Sequence, residues 1–219
     1  MIGGRDVVRI ALHALYHGCM AEQAPGREPI RFEAAVCVVG DRRILRLPPE
    51  ASAALPSRGQ VAVVGLVNGH PVETVLEPDG MRGHWLALDP AATGPSAGSP
   101  AGSAGGSSAG PLTAIRAEEV VTVELVRRED WPEPQVPSAF SSALAEAPAA
   151  EDTWADITPM ARWEWVRWVD ATKNPETRNR RIEVSMSKLG KGMRRPCCFD
   201  LASCTDPELS KNGKLLGLS

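Results

Sequence analysis

The sequence predicts an α+β protein, a compact β unit followed by a short helical module, and three observations carry that reading. Six short runs rich in Val and Leu, each bounded by Gly, Pro or Asp, lie between Phe32 and Val126. The texture changes after Trp131-Pro132-Glu133-Pro134. Beyond that turn, Thr158-Pro159 and Asn174-Pro175 each pair a capping residue with a proline suited to the first helical position.

The strand-like runs are Phe32 to Val39, Arg43 to Leu47, Gln60 to Val67, Pro71 to Leu76, His84 to Leu88 and Glu119 to Val126. Asn68-Gly69 tolerates the positive φ angles of a tight turn, so it predicts a hairpin between the third and fourth runs. Pro48-Pro49-Glu50, followed by Ala51, Ala53, Ala54 and Leu55, predicts one short helix. Residues 94–110 are almost entirely Gly, Ser, Ala and Pro and carry too little apolar surface to offset the entropy of ordering them. Because strand-like sequence resumes at Glu119, this stretch reads as an insertion within the β unit rather than a boundary between domains.

Phe140 and Leu144 predict a short helix over 138–147 with Ser138 near its N-cap. The helix opened by Thr158 is expected to run to about Ala171, with Ala161, Trp165, Trp168, Val169 and Thr172 on one stripe. The helix opened by Asn174 buries Ile182, Met186 and Leu189, and Gly190 and Gly192 end it. The expected organisation is an extension outside the core over 1–29, a barrel domain over 30–136, a helical module over 137–192 and a Cys-containing tail over 193–219.

Composition narrows the functional classes. A net charge of -3 with 43% apolar residues fits one large or two small soluble domains, and no run reaches the roughly 18 apolar residues that span a bilayer. Five cysteines, an odd number, read as free thiols in a reducing compartment, so a cytoplasmic location is expected. The apolar stretch from Val7 to Met20 resembles a signal peptide only in part, since His13, Tyr16 and His17 interrupt it and no small-x-small cleavage site follows.

Charge is unevenly spread. Residues 151–219 hold 12 basic and 10 acidic side chains, and residues 1–150 hold 12 basic and 17 acidic. Between Ala171 and Arg195 eight Lys and Arg residues face only Glu176 and Glu183, a window of +6. Arg178, Arg181 and Lys188 are expected to share a broad face away from the Ile182/Met186/Leu189 stripe. With Lys173, Thr177 and the helix N-terminus near Asn174, they form a candidate site for an anionic small molecule or a protein partner. The plainer reading is a solvated helix face, or arginines that tie the helices to the acidic β unit. Nucleic acid is the weaker alternative, because the chain as a whole is acidic and its Trp residues lie on apolar helical stripes.

Motifs for chemistry are sparse. Cys197, Cys198 and Cys204 are too few for a structural zinc site, and no metal or cofactor is expected; Arg194 and Arg195 beside Cys197 would favour a redox-sensitive thiolate. No Gly-x-Ser-x-Gly elbow or Gly-x-Gly-x-x-Gly fingerprint occurs, and the reading leans away from an enzyme. Asn68, His70 and His84 could border one mouth of a barrel, and an acid-base site would require the two histidines to meet a carboxylate in one pocket.

The run from Trp154 to Leu189, with Trp168-Val169-Asp170-Ala171-Thr172-Lys173 and Pro175-Glu176-Thr177-Arg178-Asn179-Arg180-Arg181-Ile182, resembles the C-terminal module of the bacteriocin-protection, YdeI or OmpD-associated family. Phe32-Glu33-Ala34, Leu47-Pro48-Pro49, Val67-Asn68-Gly69-His70-Pro71 and the passage from Glu129 to Pro137 resemble the small β-barrel domain of unknown function often fused to it. The resemblance implies a bacterial cytosolic protein with a double-split barrel and a short helical module, linked to stress or bacteriocin tolerance. It transfers Thr177, Arg178, Arg181 and Ile182 as motif positions without roles, and no catalytic residue. Two departures stand out: Ala117-Glu118 replaces a usual Gly-Asp turn before the last strand, and the insertion replaces a segment that often carries a basic motif. The leading expectation is a non-enzymatic, cytosolic, tolerance-associated protein that binds an anionic ligand or protein partner through its basic helical face, without contacting a membrane. The alternative is a nucleic-acid-binding regulator.

Overall fold

A computed structural model of the chain describes residues 28–88, 112, 115–196 and 200–217. Six strands, β1 (Ile30–Val39), β2 (Arg42–Arg46), β3 (Val61–Val67), β4 (His70–Pro78), β5 (His84–Ala87) and β6 (Val120–Arg127), close into a barrel in the order β1-β2-β5-β4-β3-β6. Every pairing is antiparallel. Alternating Val and Leu side chains fill the interior, among them Leu45, Val63, Leu76, Leu86, Val121 and Leu125, all nearly inaccessible.

The predicted hairpin between β3 and β4 is present, with Asn68 at φ 49° and Gly69 at φ 76° as a primed turn requires. Asn68 also reaches across to β6, accepting the Thr122 amide at 2.9 Å through Oδ1. Strand β6 closes the barrel by pairing with both β1 and β3, so the low-complexity stretch is an insertion within the barrel domain. Residues 94–110 themselves lie outside the described residues. Gly65 sits opposite Leu125, where a Cβ would lie 1.9 Å from the Glu124 carbonyl oxygen, so β3 and β6 approach too closely for any side chain. A short α1 (Pro49–Ala53) adds Ala51 to the barrel core.

Four helices follow: α2 (Ser138–Ala145), α3 (Pro148–Asp156), α4 (Pro159–Asp170) and α5 (Pro175–Leu189). Their shared core holds Phe140, Trp165, Val169, Ile182 and Leu189. Thr158 caps α4 by accepting the Ala161 amide at 3.3 Å. Ser138 is the first residue of α2 rather than its cap, a place taken by Pro137 without a side-chain bond. Helix α3 escapes the sequence pattern because Pro148–Asp156 carries a single buried residue, Ala150, instead of a stripe.

The C-terminal segment is part of the packed structure. A small hairpin of β7 (Ser210–Lys211) and β8 (Lys214–Leu215) brings Leu209, Leu215 and Cys204 against Val39, Ile44, Trp85 and Ala87 on the outside of β1, β2 and β5. Among the described residues no helix is long and apolar enough to cross a membrane.

Candidate functional site

The predicted cationic face begins at the start of α5. Asn174 Oδ1 accepts the amides of Glu176 at 2.8 Å and Thr177 at 3.1 Å, so the helix N-terminus spends two of its donors on its own cap. Arg178 donates through Nη2 to the Thr172 carbonyl at 2.9 Å and lies 3.6 Å from Asp170 through Nε. Arg181 donates through Nη1 to the Trp168 carbonyl at 2.8 Å. Both arginines therefore cap the C-terminal end of α4, where free carbonyls and the negative end of the helix dipole favour cations.

This placement corrects the expectation that Arg178 faces away from the apolar stripe. Arg178 precedes Ile182 by four residues, one turn of helix, and therefore stands above it on the buried side. Arg181 and Lys188 lie seven residues apart and flank Trp168, with the guanidinium carbon 5.7 Å and the ammonium 5.4 Å from the ring centroid. Burial pulls the Arg181 guanidinium below its ordinary pKa. Lys173 and Thr177 are exposed.

Further along, Arg195 donates through Nε to Glu164 at 2.7 Å, and Arg194 reaches the Asp156 carbonyl at 2.8 Å and its carboxylate. Much of the positive window is thus matched by nearby acceptors. Sequence inspection missed this because the acceptors, Asp156, Glu164 and Asp170, lie on helices α3 and α4 rather than within the window.

Asn68, His70 and His84 do not border one mouth. His70 opens β4 next to the Asn68 turn, whereas His84 pairs with Pro78 at the opposite end of the same strand. Eight residues of extended chain separate these ends by roughly 26 Å. His84 is fully buried with Nε2 3.0 Å from the Gly59 carbonyl oxygen, and burial holds its pKa below the usual imidazole range. Cys204 is likewise buried and its thiol is pushed up to about 11, while Cys37 is exposed. Cys197 and Cys198 lie outside the described residues. Among the described residues no three His, Cys, Asp or Glu side chains gather as a metal site would require.

A concave site occurs elsewhere. Where the barrel wall, α4 and the C-terminal segment meet, a cleft of about 270 Å³ is lined by Trp85, Trp163 and Val166 together with Arg42, Glu77, Arg167, Asp170 and Asp206. Arg167 Nε lies 3.1 Å from Glu77 Oε2, and its Nη1 donates to the Leu201 carbonyl at 3.1 Å. Burial raises the pKa values of Glu77 and Asp170, with Arg167 and Arg178 respectively opposing the shift. These lining residues come from five separate segments, so no spacing in the sequence announces them. The available signal was Arg167, a charged residue between Val166 and Trp168 on an otherwise apolar stretch of helix.

Residues 133–192, spanning α2 to α5, match the model of the bacteriocin-protection, YdeI or OmpD-associated family. Residues 32–94, which include most of β1 and all of β2 to β5, match a domain of unknown function, DUF1905. No curated protein matches the chain. The chain thus joins a segment similar to that barrel domain to a C-terminal segment similar to the bacteriocin-protection, YdeI or OmpD-associated family.

Proposed function

We propose that the chain is a non-enzymatic, cytoplasmic binding protein of bacteriocin or stress tolerance, and that the α4–α5 hairpin takes an anionic ligand or acidic protein partner. The observation that supports this reading is the half-buried Trp168 ring with the Arg181 and Lys188 cations 5.7 and 5.4 Å from its centroid. An indole flanked by two cations offers an apolar plate and a positive rim in one preorganised patch, the combination enriched among residues that dominate protein interfaces. Thr177 lies one turn before Arg181 on the same side of α5 and adds an exposed hydroxyl, and Lys173 adds an exposed ammonium near the end of α4. Arg178 serves as a positioning residue, since its bond to the Thr172 carbonyl joins the two helix ends.

Fluorescence anisotropy with a labelled polyglutamate peptide tests the patch. Arg181→Ala with Lys188→Ala is expected to weaken binding about tenfold or more, equivalent to ~1.4 kcal/mol. Unchanged binding by a variant with native circular dichroism rejects it. Retention on mixed-sequence duplex DNA that falls steeply with salt would instead favour the nucleic-acid alternative.

A further inference from the structure

We propose that the cleft between the barrel, α4 and the C-terminal segment binds a small organic cation, an amine or guanidinium on an apolar body. This site is separate from the Trp168 patch and stands independently of it.

The first argument is the balance of donors and acceptors. The indole N–H groups of both lining tryptophans are engaged, Trp85 with the Pro78 carbonyl at 3.2 Å and Trp163 with the Pro132 carbonyl at 2.7 Å. The two lining guanidiniums are engaged as well: Arg42 donates to Asp206 at 3.3 Å, and Arg167 donates to Leu201 and Ser203 carbonyls beside Glu77. Asp170 differs. Its nearest cation is the Arg178 Nε at 3.6 Å, beyond hydrogen-bond distance, and its side chain is 43% exposed. An ionised carboxylate offers about four acceptor positions, so Asp170 can receive an ammonium or guanidinium.

The second argument is the field. Three carboxylates, Glu77, Asp170 and Asp206, line the cleft against two guanidiniums. The negative charge of Asp206 pushes the pKa values of both Glu77 and Asp170 upward, so it faces both of the other carboxylates across the cleft. A cation entering the cleft relieves that repulsion, and an anion adds to it.

The third argument is shape. Trp85, Trp163 and Val166 form apolar and aromatic walls against which a cation's body can pack, the arrangement that recognises organic ammonium groups. The volume of about 270 Å³ falls at the small end of ligand pockets, which favours a compact molecule.

Titration of the full chain with benzylamine, benzyl alcohol and benzoate separates charge from shape, followed by the indole N–H resonances in two-dimensional NMR. Benzylamine is expected to bind and shift the Trp163 indole signal, with the alcohol and benzoate at least about tenfold weaker. Asp170→Asn is expected to weaken benzylamine binding about tenfold while the spectrum of the free protein stays native. The proposal is overturned if benzylamine does not bind, if the alcohol or benzoate binds as well, or if Asp170→Asn leaves affinity unchanged. Because Arg181→Ala with Lys188→Ala should leave benzylamine binding intact, failure of this site and failure of the Trp168 patch are read separately.

Discussion

Arg167 of α4 lies 3.1 Å from Glu77 of β4, Nε to Oε2, and the same guanidinium donates to the carbonyls of Leu201 and Ser203 in the C-terminal segment. One side chain thereby joins the barrel, the helical module and the tail. Its side chain is 5% exposed and that of Glu77 is 22% exposed, so removing either partner leaves a largely desolvated charge. Arg167→Met is expected to cost about 3 kcal/mol in urea denaturation, within the range for breaking a buried pair. Adding Glu77→Leu should restore part of that loss, because no unpaired charge then remains. If the double variant is no more stable than Arg167→Met, the ion pair is not what the single substitution disrupts.

A second joint uses backbone alone. Gly80 has φ 73°, and a Cβ placed there would lie 1.8 Å from the Gly213 carbonyl oxygen in the turn between β7 and β8. Beside it, the Leu215 amide donates to the Asp79 carbonyl at 2.9 Å. Gly80→Ala must therefore push the small hairpin off the barrel, in addition to the roughly 1–2 kcal/mol that a left-handed alanine costs. Cys204, packed beneath that hairpin with its thiol pushed up to about 11, reports the event. In the native chain Cys204 should resist iodoacetamide at pH 8, and in Gly80→Ala it should become alkylated, as read by peptide mass mapping. Protection of Cys204 in both proteins would show that the hairpin stays seated.

The barrel was legible in the sequence because its determinants are local. Alternating Val and Leu, Asn68-Gly69 and the prolines at 49, 159 and 175 each constrain a few neighbouring residues, and the observed elements start within about two residues of the expected ones. Strand β6 was recognised across the insertion for the same reason. The turn before it places Glu118 at φ 62°, so the chain keeps a left-handed residue where the resemblance leads one to expect Gly-Asp. What escaped was pairing between distant segments. Arg178 reads as an outward cation until α4 is packed against it and supplies the Thr172 carbonyl. His70 and His84 read as neighbours until register places them at opposite ends of β4. The C-terminal tail reads as an appendage because the partners of Leu209 and Leu215 lie far back in the sequence, on β1, β2 and β5.

Asp79 governs how stability responds to acid. The carboxylate has no accessible surface, and burial alone would raise its pKa. The amides of Met81 at 2.7 Å and Gly83 at 2.8 Å, together with Arg46 Nη2 at 2.9 Å, outweigh burial and hold it below the ordinary 3.8. The folded state then binds this proton less readily than the unfolded state. The associated stability is complete above the unfolded value near 3.8 and is lost as pH falls through the lowered folded value. Asp170 has the opposite sign: burial raises its pKa, so its contribution is present at low pH and declines as pH rises from 3.8 through the raised value. Thermal melts from pH 3 to 8 distinguish the two. Asp79→Asn should lower the neutral plateau and flatten the fall in stability below about pH 4, whereas Asp170→Asn should leave that acid limb in place and lift stability toward neutral pH. An acid limb equally steep in Asp79→Asn and in the native chain would assign the acid sensitivity to other carboxylates.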